Sequence, residues 1–167
     1  MRWYVRAIAW LSILLSLTLA QEVRVSAIVQ GKVERVAVKE GQRVNAGDLL
    51  VVIDPSLYTA QRDYLVAQLK AQRITLEKVE RDFKRYEELF NRGLLSRSEY
   101  EDWRSRYERE LHQHEALKAK LQGVEKLIEY CTIRSPTRGV VKKVLVREGL
   151  FINGTQTPEV LLLIEEK

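Results

Sequence analysis

The chain has 167 residues, of which 46% are apolar and 31% charged, with a formal charge of +5. That length suits one compact domain, or a small domain carrying one extended element, and the composition excludes both a disordered chain and a multi-span membrane protein. Basic and acidic residues interleave and no basic stripe carries stacking aromatics, so nucleic acid is not an expected partner.

The first segment, "MRWYVRAIAWLSILLSLTLA" (1–20), places Arg2 and Arg6 before an uncharged, mostly apolar run from Ala7 to Ala20. Thr18-Leu19-Ala20 offers small residues for cleavage before Gln21, so a signal peptide over 1–20 is expected, with an uncleaved membrane anchor as the alternative. No cysteine stands at the cleavage point, which excludes a lipid anchor there. Removing Arg2 and Arg6 would leave a charge of +3. The single cysteine, Cys131, has no partner for an internal disulfide and reads as a small apolar residue on a helix face.

Residues 21–53 read as short strands: "EVRVSAIVQ" alternates, and "GKVERVAVKEG" and "DLLVVID" follow, punctuated by Gly31, Gly41 and Gly47. Asp54 is then expected to cap a helix whose first residue is Pro55. Its apolar seam runs Tyr58, Leu65, Leu69, Leu76, Val79, Phe83, Tyr86, Phe90, with Gln72 as the one polar intruder. Asn91-Arg92-Gly93 stops this arm, and Ser96 with Glu99 forms a capping box that opens a second. The second seam is Tyr100, Trp103, Tyr107, Leu111, His114, Leu117, Leu121, Val124, Ile128 and Cys131. The two arms, each about 50 Å long, must run antiparallel across so short a bend (near 92–96), giving a coiled-coil hairpin over 54–131. Charges on the arms form solvated faces with partners one turn apart, such as Glu77 with Arg81 and Glu80 with Lys84.

Residues 132–167 return to strand patterning and repeat the first segment. Gly31 aligns with Gly139, Val33 with Val141, Val36 with Val144, Val38 with Val146, Lys39-Glu40-Gly41 with Arg147-Glu148-Gly149, Val44 with Ile152 and Asn45 with Asn153. Each half has too few strands to be stable alone, so the halves are expected to pair face to face as one small sandwich. The fold class is therefore α+β: a β-sandwich split by a long antiparallel helical hairpin.

Catalytic constellations are missing from the sequence. His112 and His114 lie two apart on a helix and do not face each other, which leaves no zinc pair, and Ser135 has no nucleophile elbow around it. No phosphate-binding loop is present, and neither a metal nor a cofactor is expected. The chain does not read as an enzyme.

The two strand repeats, "GKVERVAVKEGQRVNAGDLLVVID" and "TIRSPTRGVVKKVLVREGLFINGT", resemble the half-motifs of a biotinyl/lipoyl-type domain. The hairpin stands where carriers of that type present their modified lysine, so a covalent carrier is the weaker reading. A lipoyl-like domain split by a helical hairpin resembles the periplasmic adaptor or membrane fusion protein family (HlyD-like adaptors of RND and ABC systems). The resemblance implies a periplasmic adaptor that links an inner-membrane transporter of RND or ABC type to a TolC-type outer-membrane channel, and that assembles as a homo-oligomeric ring. Adaptors of this family that dock tip to tip carry Arg, three residues, Leu, six residues, Ser around the bend, and Arg85, Leu89 and Ser96 stand at that spacing. They would form the channel-binding site, with Leu89 filling a groove between partner helices and Arg85 donating to acceptors on the channel tip. Full adaptors continue into a β-barrel and a membrane-proximal domain, which leads to the expectation of a short form: a minimal adaptor, a truncated product or one piece of a split one. The rival reading is a self-associating structural coiled-coil protein of the cell envelope.

Overall fold

A computed structural model describes residues 21–166. The expected signal peptide over 1–20 lies outside the described residues. In chain order the elements are β1 (Glu22–Ala27), β2 (Gln30–Val36), β3 (Arg43–Val44), β4 (Leu49–Ile53), α1 (Ser56–Asn91), α2 (Arg97–Tyr130), β5 (Thr132–Arg134), β6 (Gly139–Val144), β7 (Phe151–Asn153) and β8 (Glu159–Glu166). The strands form two antiparallel four-stranded sheets, ordered β1-β8-β6-β3 and β5-β4-β2-β7.

Each sheet draws two strands from each half of the repeat, which corrects the expectation that the halves would stack as separate faces. The physical reason is that strand alternation fixes which side chains turn inward but leaves the identity of the neighbouring strand open. Exchanging β1–β4 for β5–β8 converts one sheet order into the other, so the sequence repeat becomes a pseudo-two-fold. Its hydrogen bonds come in matched pairs. Gly41 N donates to Val141 O at 2.7 Å and Gly149 N to Val33 O at 2.8 Å; Val33 N donates to Leu150 O at 2.7 Å and Val141 N to Gln42 O at 2.9 Å. The repeated glutamates act alike across the halves: Glu148 accepts from Val36 N at 3.2 Å and Glu40 from Val144 N at 2.9 Å.

The shared core is built from Val29, Val33, Leu50, Val51 and Ile53 of the first half with Val141, Ile152, Leu161, Leu162 and Ile164 of the second, all fully buried. Gly31 and Gly139 are equivalent points of close approach. A Cβ on Gly31 would lie 2.8 Å from Ile53 Cγ2, and one on Gly139 would lie 2.7 Å from Ile164 Cγ2 and collide with the Glu165 carbonyl. Only glycine lets β2 and β6 lie this near the strands they cross.

The hairpin is inserted between β4 and β5, which are themselves neighbours in one sheet. Pro55, rather than Asp54, occupies the position before the helix, and Ser56 is its first residue. Asp54 N still donates to Lys32 O at 2.8 Å, holding that residue in the sheet, while its carboxylate accepts from Ser56 N at 2.9 Å. The side chain thus makes an Asx turn into the helix rather than a cap. Along the arms Gln72 Nε2 donates to Glu110 Oε2 at 2.6 Å, which satisfies the polar residue in the seam. Glu80 pairs with Lys84 at 2.7 Å as expected, whereas Glu77 pairs with Arg73 at 2.7 Å and not with Arg81, since an arginine one turn before it offers the same reach. Cys131 is the C-cap residue of α2 and is buried with the β core, not placed on a free helix face.

Candidate docking site at the hairpin apex

The bend is short because each helix end is completed by its own residues. At the end of α1, Gly93 takes φ +73°, a left-handed conformation that carries no Cβ penalty in glycine. Gly93 N donates to Phe90 O and Leu94 N to Leu89 O, both at 2.9 Å, the paired bonds of a Schellman cap. At the start of α2 the Ser96 hydroxyl accepts from Glu99 N at 3.2 Å and donates to Glu99 Oε2 at 2.6 Å, while Ser96 N donates to the same carboxylate at 3.2 Å. The hydroxyl first, and the backbone N–H second, hold the Glu99 carboxyl below the usual carboxylate range. Two residues, Leu94 and Leu95, are all that separates one cap from the other.

Below the bend the seam changes from aliphatic to aromatic. Phe90 stacks on Tyr100 with centroids 4.4 Å apart, Tyr86 on Trp103 at 4.2 Å and Phe83 on Tyr107 at 5.2 Å. Arg106 lies over the Trp103 ring at 5.0 Å. Offset aromatic pairs of this kind add about 0.5–1.5 kcal/mol each beyond burial. Such packing stiffens the distal end of the hairpin, where the two arms pack on each other.

The sequence-predicted residues take three different situations on this frame. Arg85 is exposed, with only a loose pairing to Asp82 Oδ1 at 3.7 Å. Leu89 is half-buried on the last turn, and its carbonyl closes the cap. Ser96 is exposed, but its hydroxyl is fully engaged with Glu99. Arg85 and Leu89 share one face of α1 and Ser96 lies across the two-residue bend, so the three belong to one end of the molecule. Leu94, which the sequence offers with Leu95 as an apolar closure of the coiled-coil end and not among the contact residues, is 68% exposed.

Among the described residues no cluster of metal-ligating side chains occurs and no helix is long and apolar enough to cross a membrane. His112 Nδ1 lies 3.2 Å from Glu115 Oε2 on the solvent face, and His114 stands on the seam with its Nδ1 buried and unpartnered.

Comparison with known proteins adds four findings. The family model described as "RND MFP, barrel-sandwich hybrid domain" matches residues 21–164. The multidrug resistance protein MdtA of Yersinia enterocolitica is 33% identical over 144 residues, covering 86% of this chain and 32% of that protein. The chain therefore spans about a third of the length of the curated relatives it matches. Among solved structures, a MacA-MexA chimeric protein containing the Pseudomonas aeruginosa MexA α-hairpin domain is 29% identical with a TM-score of 0.52, covering 87% of this chain and 46% of that one. ZneB from Cupriavidus metallidurans, 22% identical with a TM-score of 0.61 over 87% of this chain and 60% of that one, shares the fold.

Proposed function

The chain belongs to the RND membrane fusion protein family, and from that premise we propose that it serves as a periplasmic adaptor in a tripartite efflux system, docking its hairpin apex on a TolC-type outer-membrane channel. Arg85, Leu89 and Ser96 form the proposed contact region, Ser96 by fixing the entry of α2 rather than by offering a free hydroxyl. The inner-membrane partner is a transporter, and the matched family favours the RND type over the ABC type. Export to the periplasm and assembly into a homo-oligomeric ring through the hairpin flanks belong to the same proposal. No catalysis and no covalent cofactor enter it.

The observation that carries the reading is the apex itself. A hairpin about 50 Å long leaves the β domain and ends in a bend closed by two caps and stiffened by aromatic stacks. A chain that needed only to reverse could do so within one or two turns. In-cell photocrosslinking from a probe at Leu95, with Leu89→Asp as control, tests the proposal. A crosslink to the outer-membrane channel that is lost in the control is the expected result. Crosslinks between copies of this chain alone would replace the adaptor with a self-associating coiled coil.

A further inference from the structure

We propose that His114 is a pH-sensitive release for the middle of the hairpin. Its protonation drives the ring out of the seam and loosens the two arms at mid-height, while the apex and the β domain keep their packing. The inference concerns the arms alone and holds whatever the apex binds.

The middle is where the arms hold each other least. Their buried residues, Tyr58, Leu65 and Val124, lie toward the base, and the aromatic stacks begin only at Phe83 and Tyr107. Between these ends a cleft of about 610 Å³ opens along the hairpin, with Leu69, Leu76 and Leu121 among its apolar lining and His114 at its border. Gly123 lies in the same stretch of α2, and a Cβ there would meet nothing within 4 Å, so this glycine weakens the helix with no close approach in return. Within this stretch His114 Nδ1 is, among the described residues, the one buried side-chain nitrogen or oxygen that has no hydrogen-bond partner. A protonated imidazole carries N–H on both nitrogens, so the added proton brings a charge and a donor to a place with no acceptor. The surroundings do not rescue it. From α1 the cleft presents Lys70, Arg73, Glu77 and Glu80, and from α2 Lys118 and Glu125. Glu77 is taken by Arg73 and Glu80 by Lys84, both at 2.7 Å, and Glu110, one turn before His114, is held by Gln72 at 2.6 Å. Glu125 stands three turns farther along α2, whereas Lys118 follows His114 by one turn on the same face and opposes a second positive charge. The charged ring therefore reaches water through the cleft it borders, and the seam gives up the contacts the ring made. Acid favours the loosened middle and neutral pH the closed one.

Hydrogen exchange read by mass spectrometry on the purified full chain tests this at pH ~7.5 and ~5.5, with labelling times scaled to the intrinsic exchange rate at each pH. Peptides from 66–80 and 110–125 are expected to exchange about tenfold faster at the lower pH, while those from the aromatic apex and the sheets keep their protection. His114→Leu, which continues the apolar seam, and His114→Gln, which stays neutral, should both abolish the pH difference. His112, whose Nδ1 faces Glu115 at 3.2 Å on the solvent side, supplies the control, and His112→Gln should behave as the parent. Equal protection of the parent's middle at both pH values overturns the inference. So does a loss at low pH that persists in both His114 variants, which would assign the change to the carboxylates instead.

Discussion

Titrating Cys131 tests whether the junction between the hairpin and the β domain is as dry as its packing indicates. The residue is 1% exposed, and its Sγ donates to Leu127 O at 3.3 Å. Burial first, and the nearby Asp54 carboxylate second, push the thiol up from 9.0 to about 11. In the unfolded chain the thiol loses its proton near the ordinary value, whereas the folded chain keeps it until the raised one. Between those limits the unfolded state binds fewer protons, so stability falls as pH rises. Each unit of difference corresponds to about 1.4 kcal/mol, and because the folded thiol is itself half ionised at its raised value, the loss is about 2.3 kcal/mol at pH ~11. Urea unfolding of the unsubstituted protein and of Cys131→Ala at intervals from pH ~8 to ~11 measures it. Tyrosine and lysine titrations common to both proteins cancel in the difference. At pH ~8 the variant should be the less stable by about 1–2 kcal/mol, because it loses the sulfur's contacts. That gap should shrink and reverse as the thiolate becomes the unfolded form. A gap that stays constant with pH would refute the reasoning and place the thiol in contact with water.

Gly139→Ala should destabilise by about 2–3 kcal/mol in denaturant unfolding, because its Cβ meets a backbone carbonyl that cannot rotate away, and Gly31→Ala by less. Equal or increased stability of Gly139→Ala would mean that β6 can move aside. Ser96→Ala removes both hydroxyl bonds to Glu99 but keeps the bond from the backbone N–H of residue 96 to the Glu99 carboxylate, and should cost about 1 kcal/mol with folding retained, read by thermal unfolding. The duplicated glutamates should rank by bond length: Glu40→Ala, which frees Val144 N, costs about 1 kcal/mol, and Glu148→Ala costs less, both measurable by urea midpoints.

Much of this architecture is written in the sequence because it depends on local rules. The hairpin follows from a 3-4 apolar spacing and from caps at Gly93 and Ser96 that need only neighbouring residues. The repeat is visible because Gly31 and Gly139, and Glu40 and Glu148, do equivalent jobs. What stayed hidden depends on partners distant in the chain. The strand exchange between halves could not be read because alternation is the same whichever neighbour a strand meets. Cys131 looked like a seam residue because helical spacing continues through it, although the helix ends there. At the apex, Arg85, Leu89 and Ser96 were legible as a spacing. The prominence of Leu94 was not, because exposure at a bend depends on where the chain turns back.

The insertion of the hairpin between adjacent antiparallel strands also makes it a spacer of adjustable length. β4 and β5 stay paired whatever lies between them, so seven residues added in register to each arm would extend the reach by about 10 Å and leave the sheet connections unchanged. Reach and anchorage are thus set by separate parts of the sequence, and a change in the distance to be bridged can be met by helix length alone.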